Sequence, residues 1–210
     1  MVKVYKSRII PVLKHIKGRD VLDIGCCGMG ENDQVGGVDF IHGKLVNAGH
    51  KVIGLDINKE GVINLNKKGF NVVCHDAQKP YYLEKKFDTI VSEENIEHIS
   101  NLKTYLENVK SHLKEDGIFV LSTPNAFCFD FILQHIIFGR QRANLYHTHY
   151  HNINTIKYLL ESNGFEVTHH EFCHGITKAM NFNSKIVKLI VPFLPNRFGR
   201  TLIVVAKLYK

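Results

Sequence analysis

Short apolar, β-branched runs alternate with longer stretches in which apolar positions recur at helical spacing. Residues 20–25 (DVLDIG), 51–56 (KVIGLD), 70–76 (FNVVCHD), 87–93 (FDTIVSE) and 117–123 (GIFVLST) are nearly continuous apolar runs. Runs of that kind suit strands buried on both faces of a parallel sheet. Helices are predicted between them, over about 38–49, 57–68, 100–114 and 153–163. The clearest is 100–114, where Leu102, Tyr105, Leu106, Val109 and Leu113 share a face, Ser100 caps the start and Gly117 ends it. Two further strands, 165–173 and 201–210, follow. Alternation of this kind predicts an α/β fold: a doubly wound, mostly parallel sheet with helices on both faces. It is read as one domain over 1–210, with a helical segment at 1–19 and acceptor-side segments at 126–152 and 174–200.

Ligands of such sheets bind beyond the C-terminal ends of the strands. Asp23-Ile24-Gly25, Asp56, Asp76, Glu93-Glu94 and Ser122-Thr123-Pro124-Asn125 therefore carry the candidate chemistry. Most of these groups are acidic. That lining suits a nucleoside bearing a positive charge better than a phosphate-rich ligand.

Composition narrows the picture only a little. Apolar residues make up 44% and charged residues 22% of the 210, an ordinary globular balance. No run approaches the roughly 18 apolar residues of a transmembrane segment, and residues 1–20 lack the apolar centre of a signal peptide. The five cysteines lack a zinc-type double pair and read as reduced thiols of a cytoplasmic protein. Cys26-Cys27 read as small packing residues rather than a redox or metal pair. A net charge of +7 suits an anionic partner without choosing among nucleic acid, a phosphorylated metabolite and a lipid surface.

In DVLDIGCCGMG (20–30) a strand runs into a glycine turn, where backbone comes close to a ligand. NAD-binding folds share this feature, and they share an acid such as Asp56 placed for ribose hydroxyls. Discrimination comes from Asp23 before Gly25, from CHDAQ (74–78) and from FDTIVSEENIEHI (87–99). In order and together, these motifs resemble the class I S-adenosylmethionine-dependent methyltransferases, over roughly residues 8–173 and the last strand. The resemblance implies a seven-stranded sheet whose final strand is antiparallel, with S-adenosyl-L-methionine as cofactor. It implies that Asp23, Gly25, Cys26 and Gly28 lie at the methionine portion and Asp56 and Ile57 at the ribose. Asp76 and Ala77 would meet the adenine edge, and Glu93 the methionine amine. The family's D-x-G-x-G-x-G is altered here to Asp23-Ile24-Gly25-Cys26-Cys27-Gly28-Met29-Gly30. Asp56 lies 31 residues after Gly25, against about 20 in the usual spacing. The surplus is the polar loop 31–40, expected over the cofactor or acceptor pocket or as a plain surface insertion.

EENIEH (93–98) follows the fourth strand directly. On a helix Glu94, Glu97 and His98 would share one face, as divalent coordination requires. His98 is also a candidate general base for a hydroxyl acceptor, with Glu94 orienting it, and carboxylates suit a helix start in any case. YHTHYHN (146–152) alternates His147, His149 and His151, which in an extended segment point to one side. The resemblance to RNA 3′-end 2′-O-methyltransferases implies a divalent metal ion held by Glu94, Glu97, His98 and a lid histidine, His149. Quinone-pathway O-methyltransferases share similar features, so a metal-free histidine lid with His98 or His149 as base stays open beside it.

Residues 183–200 are apolar and basic together, suiting either a core-packing helix or peripheral membrane contact. The expected activity is O-methylation of a small or carrier-linked acceptor of quinone, sugar or lipid type. Metal-dependent RNA 2′-O-methylation and a non-catalytic cofactor-binding subunit are the alternatives.

Overall fold

Eight strands form one sheet in the computed structural model of the chain, which describes residues 1, 3–5, 7, 9–28, 37, 39–139, 146–175 and 190–210. The strands are β1 (Lys3–Tyr5), β2 (Asp20–Ile24), β3 (Lys51–Asp56), β4 (Val72–Cys74), β5 (Phe87–Glu93), β6 (Leu113–Pro124), β7 (Phe165–Gly175) and β8 (Thr201–Leu208). Their order across the sheet is β1-β7-β8-β6-β5-β2-β3-β4. Every neighbouring pair is parallel except those made by β8, which runs antiparallel to both β6 and β7. All seven expected strands are present, the final one antiparallel. The eighth, β1, corrects both the strand count and the reading of residues 1–19 as helical. Among the described residues there, only Ile9–Leu13 (α1) is helix, and Lys3–Tyr5 pairs with Cys173–Gly175 at the sheet edge.

The other α-helices among the described residues are α2 (Ile41–Asn47), α3 (Lys59–Lys67), α4 (Leu102–His112), α5 (Phe129–Phe138) and α6 (Ile153–Ser162). Strand alternation divides the core between the two faces of the sheet. Leu22, Ile24, Ile90 and Leu121 pack with Tyr105, Leu106 and Val109 of α4 and with Ile156 and Leu160 of α6. Val21, Val91 and Val120 face the other way, against Ile9 and Val12 of α1 and Ile41 and Leu45 of α2. Most of this surface is fully excluded from water, which at about 25 cal/mol per Å² is the main stabilising contribution.

Helix α4 starts and stops where local hydrogen bonds decide. Its cap is Asn101, whose side chain accepts from the Thr104 N–H, and not Ser100. The N–H groups of Ser100 and Asn101 both donate to Gln78 Oε1 (2.7 and 3.0 Å). The helix ends at His112 because Leu113 opens β6 by pairing with Phe87, and Gly117 lies inside that strand. Most of the loop 31–40 and the first part of the segment 183–200, residues 183–189, fall outside the described residues. In the described part of the latter, 190–200, two 3₁₀ turns stand, Val191–Phe193 and Asn196–Phe198. No helix among the described residues is long and apolar enough to cross a membrane.

The chain winds from β2 outward through β3 to β4, then returns to the other side of β2 as β5. This reversal of direction opens a crevice at the C-terminal ends of β2 and β5.

Candidate active site

Gly25 follows β2 directly and meets the constraint at the crevice first. Its N–H donates to the Leu55 carbonyl at 2.8 Å, and its φ is +84°. A Cβ at this position would lie 2.9 Å from Asn95 Cγ, so both backbone and space demand glycine. Two residues on, the Cys27 N–H donates to Asp56 Oδ2 and the Asn58 N–H to Asp56 Oδ1, each at 2.8 Å. The carboxylate ending β3 is thus held by backbone from two loops and keeps lone pairs for a ligand hydroxyl. Asp76 is held similarly, its Oδ1 accepting from the Gln78 N–H at 2.9 Å.

These residues line a cavity of about 730 Å³. Asp23, Gly25, Cys26, Gly28, Asp56, Ile57, Asp76, Ala77 and Glu93, the expected cofactor residues, all stand on its wall. Among the described residues, seven carboxylates line it (Asp23, Asp39, Asp56, Asp76, Glu93, Glu94 and Glu97) against one arginine, Arg200. Asp23 is already matched: its Oδ2 lies 3.0 Å from His42 Nδ1, with both side chains buried. The remaining acids make a negative lining suited to a cation bearing hydroxyls. Cys26 packs rather than reacts. A hydrogen bond with Cys27 and then burial hold its thiol well above the ordinary range.

EENIEH adopts a different shape from the helix its spacing suggested. Glu94 is the one described non-glycine residue with positive φ (47°), and its N–H donates to the Ser122 carbonyl and hydroxyl, each at 3.1 Å. Only Ile96–His98 is helical, as a single 3₁₀ turn. Glu94, Glu97 and His98 therefore do not form a helix face, because the left-handed residue turns the chain before the helical turn begins.

The segment 146–151 is stapled onto this turn. The Glu97 carbonyl accepts from the N–H groups of Thr148 (2.8 Å) and His149 (3.2 Å) and from the Thr148 hydroxyl (3.0 Å). Beyond it, the Ala126 N–H donates to the His151 carbonyl at 2.8 Å. The staple brings Glu97, His98 and His147 together, one ligand atom from each lying within 4.8 Å of the others. His147 thus occupies the place in this group expected for His149. The three histidines also do not point one way, since His98 and His147 rings meet edge-on at 4.7 Å while His149 stacks on His151 at 5.7 Å. Burial, and then the neighbouring His149, push His151 down to about 4. Burial and then His98 lower His147 in the same sense.

His98 Nδ1 lies 3.0 Å from the Tyr146 carbonyl. A carbonyl only accepts, so Nδ1 carries the proton and Nε2 is the basic nitrogen. Tyr146, Phe131 and Arg200 also line the cavity and had not been singled out from sequence. Tyr146 acts through its backbone, which leaves no residue-type signal. Arg200, in the turn before β8, had no motif around it.

A doubly wound sheet with an acidic nucleoside-sized cavity at its reversal point defines a class of cofactor-binding enzyme, and comparison with known proteins specifies it. The methyltransferase-domain family profile matches residues 3–170. An uncharacterised protein of Methanocaldococcus jannaschii is 34% identical over 145 residues, covering 65% of this chain and 52% of its own. The mitochondrial ubiquinone biosynthesis O-methyltransferase of Dictyostelium discoideum is 26% identical over 149 residues, covering 62% of this chain and 43% of its own. The chain thus spans about half the length of the curated relatives it matches. In fold it is similar to the crystal structure of a SAM-dependent methyltransferase from Archaeoglobus fulgidus, with a TM-score of 0.64 and 24% identity over 95% of this chain and 91% of that one. The chain belongs to the methyltransferase-domain family, and its fold is that of proteins that use S-adenosylmethionine as cofactor. The residues present fit that cofactor: the lining is acidic, Asp56 and Asp76 retain acceptor capacity, and glycine lets backbone approach where a Cβ would clash.

Proposed function

We propose that the protein methylates a hydroxyl of a small or carrier-linked acceptor, with His98 as general base. The observation behind this reading is the hydrogen bond from His98 Nδ1 to the Tyr146 carbonyl, which leaves Nε2 free to take a proton on the cavity wall. What the bound cofactor supplies is a methyl group on a positively charged sulfur. Gly25 and Glu93 would hold its methionine end, Asp56 the ribose and Asp76 with Ala77 the adenine. His98 Nε2 removes the acceptor hydroxyl's proton as the oxygen becomes nucleophilic, and its imidazolium stays oriented by Tyr146. The acidic wall, with Glu93, Glu94 and Glu97 nearest the β5 end, favours a positive charge in the site before transfer. Curated relatives named as ubiquinone biosynthesis O-methyltransferases, 26% and 28% identical, support a hydroxyl acceptor. Helix α5 supports a greasy one: none of its residues is buried, and Ile136, Ile137 and Phe138 are exposed.

A second reading rests on the Glu97, His98 and His147 group. Two imidazoles and a carboxylate suit a divalent ion, with Glu94 and His149 further along the same two segments. That arrangement favours RNA 2′-hydroxyl methylation.

Labelled methyl transfer to phenolic and catecholic acceptors and to short single-stranded RNA, with and without EDTA, separates the two. Chelator-insensitive transfer to the small acceptors is expected, and EDTA-abolished transfer to RNA would replace the first reading by the second. In His98→Gln, kcat should fall by roughly 10²–10⁴-fold while S-adenosylhomocysteine affinity is unchanged. An unaltered kcat would remove His98 from the mechanism.

A further inference from the structure

Among residues that take no part in lining the cofactor cavity, the chain just past α1 meets the outer strands of the sheet. His169 and Glu171 lie two apart on β7 and so share a face. It is the face that α1 covers, since Cys173, two further along, packs with Ile9 and Val12. His15, just past the end of α1, reaches the same spot. Its Nε2 lies 3.0 Å from Glu171 Oε1, and its ring centroid is 5.0 Å from that of His169. One ligand atom from each of the three lies within 4.8 Å of the others. They line a second cavity, of about 710 Å³.

We propose that His15, His169 and Glu171 form a binding site for a divalent transition-metal ion, separate from the cofactor cavity. Two imidazoles and one carboxylate are a ligand set that zinc, cobalt and nickel accept, and three protein ligands leave one position for water. Tetrahedral zinc with bonds near 2.0–2.1 Å sets its ligands about 3.4 Å apart. The His15–Glu171 pair stands close to that spacing already. His169 is exposed, so its ring is free to rotate by the remaining ångström or so.

The surrounding cations do not occupy the oxygen that faces the imidazoles. Lys3 Nζ lies 3.7 Å from Glu171 Oε2, the other oxygen, where it orients the carboxylate as an outer partner does. The Lys14 ammonium is drawn to Tyr5, 3.1 Å from its hydroxyl and 4.6 Å from its ring centroid. Arg197 lies over the Phe198 ring at 5.4 Å. A bound ion would tie the turn after α1 to β7 across 156 residues of sequence and stabilise the fold by mass action.

The test uses the full chain carrying His98→Ala and His147→Ala, which disables the group in the cofactor cavity. Zinc titration is followed by equilibrium binding and by histidine side-chain nitrogen NMR. A single tight equivalent that shifts the imidazole resonances of His15 and His169 is expected. Adding His169→Ala or Glu171→Gln should weaken binding at least about tenfold. His169 is exposed and Gln keeps the shape of Glu171, and circular dichroism of each variant checks that the fold persists. The absence of a zinc-induced shift at both imidazoles would overturn the proposal, as would zinc affinity unchanged in both variants.

Discussion

Replacing Gly25 with alanine tests the cofactor loop at its tightest point. The φ of +84° is outside the comfortable range of an L-residue, which costs about 1–2 kcal/mol. The new Cβ would stand 2.9 Å from Asn95 Cγ and 3.3 Å from its Cβ, at the root of the side chain rather than its tip. Asn95 cannot withdraw freely, because its Nδ2 donates to Ser92 Oγ at 3.2 Å, and losing that bond costs about 1 kcal/mol. The Gly25 backbone cannot yield instead, since its N–H is held by Leu55. Gly25→Ala should therefore lose roughly 3 kcal/mol in urea unfolding with m unchanged. Asn95→Ala alone should lose about 1 kcal/mol. In the double variant the closest contact, to Asn95 Cγ, disappears while the backbone strain and the looser 3.3 Å approach to the Cβ at 95 stay, so the loss should be about 2.5 kcal/mol rather than the sum of about 4. Calorimetry should show weaker S-adenosylhomocysteine binding in Gly25→Ala. Additive losses, within about 0.5 kcal/mol, would refute the steric account.

Three further predictions concern the supports of the site. Asp88 accepts from Lys114 at 2.8 Å and from the N–H groups of Arg19 and Asp20 at 2.9 Å, and Lys114 first, then the backbone, hold its carboxyl down to about 2. That value lies below the unfolded one near 3.9, so the stabilisation is complete above about pH 4 and disappears as the pH falls toward 2. Asp88→Asn should flatten the acid limb of stability against pH, and an unchanged limb would count against the bond network. His42→Ala leaves the Asp23 carboxylate buried without its imidazole partner and should cost about 3–5 kcal/mol in denaturant unfolding, a loss under 1 kcal/mol speaking against the pairing. Phe119 is fully buried with the rings of Tyr105 and Phe165 at 6.4 and 5.9 Å. Phe119→Ala should cost about 3–5 kcal/mol, read from the thermal midpoint.

The strands and the acids ending them were legible because burial on both faces writes near-continuous apolar runs, and a run's end marks the crevice. β1 was not, since a three-residue edge strand with no buried residue leaves no apolar run. The cap of α4 was misplaced by one residue because Gln78, distant in sequence, takes the N–H groups that Ser100 and Asn101 would otherwise present. Spacing put Glu94, Glu97 and His98 on one helix face, but spacing is blind to a left-handed residue, and here that residue is glutamate rather than the glycine that would have announced it. The partnership of His98 with His147 depends on a backbone staple to Glu97, which no side-chain pattern encodes.

The antiparallel strand has a consequence for biosynthesis. Among the described residues, β1 and β7 are joined to the rest of the sheet only through β8, although β8 follows both in the chain. At translation rates of about 5–20 residues per second, the interval between the end of β7 and the start of β8 lasts roughly 1–5 s. During it the facing edges of β6 and β7 present open ladders of N–H and C=O groups, the template on which strands of neighbouring chains pair. The nascent protein is thus most exposed to aggregation and to chaperone capture late, with its cofactor crevice nearly built and its sheet still in two pieces.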